Sequence, residues 1–239
     1  MRVLAIVHQA DAGAGVFGEV VRESGHELVE WFPTNGGAPE LDGVGAAMVF
    51  GGAVNADQEA ANPWLRGEKD LLRRMIGDGL PLMGVCLGSQ LLAEAAGAAP
   101  KRASEPEIGW VQVEQTAAGR ADPLIGALPE RFEAFGWHSY EALLPNGAVA
   151  LASSPVCLQA YRLEGARAWG IQFHAEVTDA EVNAWLDGWD KDEDAVRIGL
   201  DPERLRAETL ARLPDWNELG RGIAERFLVE AAGARVTRA

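Results

Sequence analysis

The 239-residue chain has only two cysteines and four histidines, and what it lacks narrows the reading before any motif is considered. No H-x-x-x-H or C-x-x-C pair occurs, so neither a metal nor another cofactor is expected. No G-x-x-x-x-G-K-[ST] run occurs either, which argues against a built-in phosphate loop for ATP. No apolar stretch approaches the ~20 residues of a membrane span. The N-terminus enters an apolar strand in place of a signal peptide, so a cytoplasmic location is expected, with Cys86 and Cys157 as reduced thiols. Basic residues are outnumbered, 21 Lys and Arg against 36 Asp and Glu, and the net charge of -15 disfavours nucleic acid or an anionic membrane as a partner. What is there is globular: 48% hydrophobic and 24% charged residues give an ample core. Without repeats or long linkers, residues 1–239 are expected to form a single domain, with about 195–239 as a helical C-terminal extension.

The most informative stretch is Gly84-Val85-Cys86-Leu87-Gly88. An apolar run at 80–85 precedes it and reads as a buried strand, and the helix formers of 89–96 follow. G-x-C-x-G between strand and helix is the thiol form of the nucleophile elbow, in which flanking glycines leave room for a strained backbone. The amides opening the helix then face any negative charge that develops there. A free cysteine is often a small buried hydrophobe, but this spacing favours a nucleophile. For a base, Trp169-Gly170-Ile171-Gln172-Phe173 alternates like a strand and delivers His174 and Glu176 at its end. Two residues apart in extended chain, their side chains start on one face, so Glu176 can orient His174 towards the thiol. The apolar run at 46–50 enters Gly51-Gly52-Ala53, where a backbone N–H can approach a substrate closely. The N–H groups of Gly52 and Leu87 are the expected oxyanion donors.

Further strands are expected at 2–7 and 26–31, a helix at 63–79, and several short strands between Ile108 and His174. Strand–helix alternation predicts an α/β fold with a doubly wound, mostly parallel sheet. Towards the C-terminus, 180–186 reads as an amphipathic helix and 187–194 as an acidic break. Asp201-Pro202-Glu203 reads as a helix start, and a last helix is expected around 216–232 as a covering layer.

With these motifs in order, the chain resembles the class I, triad-type glutamine amidotransferases, and among them stand-alone domains similar to the glutaminase part of GMP synthase. Gly84-Val85-Cys86-Leu87-Gly88-Ser89-Gln90 resembles their nucleophile motif, Gln172-Phe173-His174-Ala175-Glu176 their Q-F-H-P-E, and Gly51-Gly52-Ala53 their G-G-P loop. Asn55, Pro63-Trp64-Leu65, Glu68 and Glu107-Ile108-Gly109-Trp110 fit the same pattern. The resemblance covers about residues 1–190. It implies a flavodoxin-like sheet with a strand-rich insertion and C-terminal helices. Ala53 and Ala175 replace prolines of the family pattern, which predicts looser loops with the catalytic groups retained.

By the resemblance, Gly51, Gln90, Ser139 and Tyr140 are candidate substrate contacts, and glutamine is the expected substrate; the elbow chemistry alone does not select glutamine over another amide. The implied reaction is hydrolysis of the γ-carboxamide through a γ-glutamyl thioester on Cys86, with ammonia passed to a separate synthetase subunit. A γ-glutamyl hydrolase or peptidase using the same triad is the alternative. A non-catalytic regulatory subunit is a third reading, and the intact Cys86, His174 and Glu176 argue against it. His138 lacks a carboxylate at i+2 and is not expected as a rival base; His8 and His26 have no partners in sequence, so structural roles are expected for these two.

Overall fold

Short apolar runs separated by amphipathic segments form nine strands and seven α-helices among residues 1–236, which the computed structural model describes, with side chains through residue 233. In chain order these are β1 (Arg2–Ile6), α1 (Gly15–Glu23), β2 (Glu27–Trp31), β3 (Val44–Val49), α2 (Trp64–Gly77), β4 (Leu82–Val85) and α3 (Leu87–Ala95). Next come β5 (Pro100–Gln115), α4 (Ala117–Arg120), β6 (Arg131–Ala142), β7 (Ala148–Ser153), β8 (Leu158–Leu163) and β9 (Ala168–Ile171). The chain closes with α5 (Asp179–Asp187), α6 (Glu193–Arg197) and α7 (Pro202–Val236).

The strands form one mixed sheet in the order β2-β1-β3-β4-β9-β8-β7-β5-β6. The first five run parallel in the flavodoxin-like order, and from β9 onward every pairing is antiparallel. The strand-rich segment therefore continues the parallel half as one sheet, so the sheet is mixed where a mostly parallel one was expected. Side chains alternate faces along β1: Val3 and Ala5 pack with Phe17, Ile223 and Phe227 under α1 and α7, and Leu4 and Ile6 with Leu65, Leu72 and Leu91 under α2 and α3. The three adjacent parallel strands β3, β4 and β9 end on the same side, and their C-terminal ends lead to Gly51, Cys86 and His174.

Two C-terminal expectations change. The acidic segment holds a short 3-10 turn and the start of α6, whose N-cap Asp192 accepts from the backbone N–H of Asp194 and Ala195. Asp201 caps the next helix as expected, accepting from the N–H of Arg204 at 3.0 Å. That helix then runs through Pro214 as the single α7, with no separate last helix at 216. Proline removes one donor there, but Leu213 and Trp216 are buried on either side of it, so packing holds the helix continuous.

Candidate active site

Cys86 joins β4 to α3 with φ 52° and ψ -111°, the one non-glycine positive φ among the described residues. The glycines on either side are required by close approach. A Cβ on Gly84 would come within 2.5 Å of the Gly88 carbonyl oxygen, and one on Gly88 would collide with the Val49 carbonyl. The elbow is thus wedged between β3 and its own helix, and Cys86 N–H is held by the Ile171 carbonyl at 2.8 Å. The thiol lines a cleft of about 670 Å³ together with Gly52, Leu87 and His174.

His174 lies three residues past the end of β9 and is 2% exposed. Its Nδ1 meets the buried Glu176 carboxylate at 2.7 Å. Its ring also interacts with Cys86, and the Trp185 ring packs edge-on against it, with centroids 4.9 Å apart. Burial alone would lower the His174 pKa; the Glu176 carboxylate and the Cys86 sulfur raise it instead, from 6.5 to about 10. The arrangement sets a protonated imidazole between a carboxylate and the Cys86 sulfur.

Gly51 and Gly52 follow β3 and lie between His174 and His8. A Cβ on Gly51 would lie 2.9 Å from His174 Cε1, and one on Gly52 2.9 Å from His8 Cβ. Gly52 faces the cleft; Gly51, predicted as a substrate contact, sits behind it against His174. Both loops expected to be loose are braced by other residues. Ala53 N–H donates to Gln9 Oε1 at 2.8 Å, and His8 Nδ1 lies 3.1 Å from the carbonyl oxygens of both Phe50 and Gly51. Carbonyls only accept, so that nitrogen carries a proton, and Nε2 faces the buried Glu68 carboxylate at 3.0 Å. Both ring nitrogens meet acceptors alone, which makes His8 an imidazolium; burial opposes this, but Glu68 and the two carbonyls raise its pKa above 6.5. The Ala175 carbonyl packs against Gly220 of α7, where a Cβ would collide with it, and Trp216 Nε1 donates to the His174 carbonyl at 2.8 Å.

Gln90, Ser139 and Tyr140 all line the cleft, as expected. The Gln90 amide donates to the Tyr140 carbonyl and to Gln172 Oε1, which leaves Gln90 Oε1 to accept. Sequence reasoning missed the wall opposite. There Trp137 Nε1 donates to Asp192 Oδ2 at 2.9 Å, and Arg102 grips both oxygens of Asp194 at 2.6 and 2.7 Å. These bonds tie α6 to β5 and β6 across the mouth of the cleft.

Sequence reasoning also missed a second buried Cys-His-Glu group. Glu107 on β5 stands opposite His138 on β6 in the sheet register, and their side chains approach to 3.1 Å. Cys157 Sγ donates to Glu107 Oε2 at 3.3 Å. His138 thus has its carboxylate across the strands and not at i+2, a partner visible only once the register is known. Cys157 lies outside the cleft lining, and burial together with Glu107 raises its thiol pKa strongly.

The model of the glutamine amidotransferase class-I family matches residues 11–185. The glutamine amidotransferase-like protein YfeJ of Salmonella typhimurium is 30% identical over 192 residues, 78% of this chain and 80% of that one. One of the subunits of the glutamine-hydrolysing GMP synthase of Thermoplasma acidophilum is 30% identical over 161 residues, 66% of this chain and 76% of that one. Of two other GMP synthase relatives the chain spans only 54% and 30%. The crystal structure of a glutamine amidotransferase from Thermotoga maritima superposes with a TM-score of 0.85 at 27% identity, covering 95% of this chain and 97% of that one. With the elbow, the mixed sheet and the buried Cys-His-Glu chemistry in place, this chain belongs to the class I glutamine amidotransferases.

Proposed function

We propose that the chain is a glutaminase in which Cys86, His174 and Glu176 form the catalytic triad, and that it releases ammonia for an acceptor held by a separate synthetase subunit. The observation that carries this reading is the strained Cys86 in the cleft beside the His174–Glu176 pair. The second group does not compete for the role: Cys157 lies outside the cleft lining, and its thiol is held protonated.

In the proposed reaction the Cys86 thiolate attacks the γ-carboxamide carbon of glutamine. The N–H groups of Gly52 and Leu87 hold the oxyanion, a stabilisation of about 3–4 kcal/mol per donor in such sites. The imidazolium of His174, steadied by Glu176, gives its proton to the departing ammonia. The neutral ring then takes a proton from water, which hydrolyses the γ-glutamyl thioester and returns glutamate and the thiolate. Gln90 Oε1, Ser139 and Tyr140 are proposed to hold the amino-acid end of the substrate, with Gly51 supporting the oxyanion loop from behind. The cleft is larger than glutamine needs. That observation favours a second reading, a γ-glutamyl hydrolase acting on larger conjugates with the same triad.

Cys86→Ser is expected to abolish hydrolysis of glutamine and of γ-glutamyl amides with the fold intact, and a glutamine-analogue electrophile should label Cys86 and spare Cys157. Equal labelling of both thiols, or activity surviving in the serine variant, would overturn the assignment. The synthetase partner should raise glutaminase turnover at least about tenfold, or ~1.4 kcal/mol of barrier. Rapid partner-free turnover of a γ-glutamyl peptide with little attack on glutamine would instead establish the second reading.

A further inference from the structure

Beneath the β6 wall of the cleft, the proposed reaction leaves Glu107, His138 and Cys157 without a task. Each is at least nine-tenths buried, at 5%, 6% and 6% exposure. One donor atom from each lies within 4.8 Å of the other two. Cys157 lies outside the cleft lining, so the proposed reaction does not reach its sulfur.

Their hydrogen bonding is uneven: Glu107 Oε2 accepts from Cys157 Sγ and from Gln159 Nε2, at 3.3 and 2.6 Å, whereas one imidazole nitrogen is left over. His138 Nδ1 lies 3.0 Å from the Tyr140 carbonyl oxygen, which only accepts, so this nitrogen carries the ring proton. Nε2 lies 3.1 Å from Glu107 Oε2 without hydrogen-bonding geometry, so this buried nitrogen is left without a partner. Gln159 Oε1 in the same pocket is likewise buried and without a donor. The pocket therefore gathers a carboxylate oxygen, an unpartnered imidazole nitrogen and a sulfur within reach of a single ion.

We propose that Glu107, His138 and Cys157 form a binding site for a borderline divalent cation, Zn²⁺ in particular. Mixed sulfur, nitrogen and oxygen donors select such an ion over the hard cations Mg²⁺ and Ca²⁺. Zinc bonds of about 2.0–2.3 Å in tetrahedral geometry place neighbouring ligand atoms about 3.3–3.7 Å apart. The observed separations from Glu107 Oε2, 3.1 Å to Nε2 and 3.3 Å to Sγ, are close to that spacing. On binding, the Cys157 S–H bond breaks, sulfur keeps the electron pair for the metal bond, and the proton leaves to solvent. The ligands come from β5, β6 and the turn before β8, at positions 107, 138 and 157, so no spacing motif in the sequence discloses them. Since His138 also lines the cleft, the ion would fix the wall that carries Ser139 and Tyr140.

The chain has two cysteines, so Cys86→Ser leaves Cys157 as its one sulfur donor of the thiol type. The reduced, metal-free Cys86→Ser protein is titrated with Co²⁺ and its absorption followed, and Zn²⁺ affinity is then measured by competition with a chromophoric chelator. One equivalent of Co²⁺ with a thiolate-to-cobalt charge-transfer band is expected, displaced by Zn²⁺. Glu107→Gln in the same background should weaken Zn²⁺ at least about tenfold. Absence of the charge-transfer band from Cys86→Ser, whether or not the unsubstituted protein shows it, would overturn the proposal. So would unchanged Zn²⁺ affinity in the Glu107→Gln protein. None of these readings uses glutamine hydrolysis, so the outcome is independent of the triad assignment.

Discussion

At Cys86 a β-carbon is forced into a backbone region that costs of order 1–3 kcal/mol for a non-glycine residue, and the surrounding structure over-determines it. Gly84 and Gly88 show why the letters around it are fixed, since neither position has room for a methyl group. That constraint is local in sequence, so the elbow is legible without a structure. So is the His174–Glu176 pair, whose members are two residues apart in the loop that follows β9. Glu107 and His138 also meet in space, but they stand 31 positions apart, and only the β5–β6 register joins them. The proposed roles make His174 testable alone. His174→Ala should lower kcat about 10²–10⁴-fold, and Glu176→Gln less, because orienting a base matters less than having one. The raised His174 pKa also has a stability consequence. Its share of stability is present in full below 6.5 and is lost as pH rises through about 10. Ring-nitrogen NMR should find an imidazolium at neutral pH, and Cys86→Ser, which removes the sulfur, should lower the titration midpoint. A neutral His174 ring at neutral pH would refute the ion pair.

Elements were read most surely where an apolar period was long and its ends were marked. The helix expected at 63–79 is α2 at Trp64–Gly77, and the strand expected at 46–50 is β3 at Val44–Val49. The acidic segment was harder to read, because 187–194 has no period and its order comes from partners on other elements. Asp194 is the clearest case. Burial would raise its pKa, but hydrogen bonds from Ser139, Arg197 and Arg102 lower it from 3.8 to about 2. The contribution of a depressed carboxyl is present above 3.8 and disappears as pH falls towards 2. Asp194→Asn should therefore destabilise the protein by about 1 kcal/mol at neutral pH, after discounting for the exposure of both arginines. Urea denaturation should show the gap closing as pH falls from 3.8 to about 2. A gap unchanged by pH would mean that α6 is held by the Trp137–Asp192 bond and not by the ion pairs.

Over the whole molecule, the site is assembled from both ends of the chain. Val16 N–H, at the start of α1, donates to the Glu176 carbonyl at 2.8 Å, while Trp216 and Gly220 of α7 close on the residues just before it. A covering helix was legible at 216–232, but not that it touches the His174 loop, since no local pattern relates residue 220 to residue 175. Gly220→Ala should push the Ala175 carbonyl away and shift His174. We expect a loss of about 1–3 kcal/mol in stability from overpacking and at least about a tenfold fall in kcat. Thermal melting with steady-state kinetics checks both, and an unchanged kcat would show that the loop does not need this brace. The family match stops at residue 185, whereas the brace lies more than thirty positions later. A polypeptide spliced at residue 185 onto another enzyme would carry Cys86, His174 and Glu176 and still lack the helix that packs on the loop around His174. What such a graft has to include therefore reaches into α7.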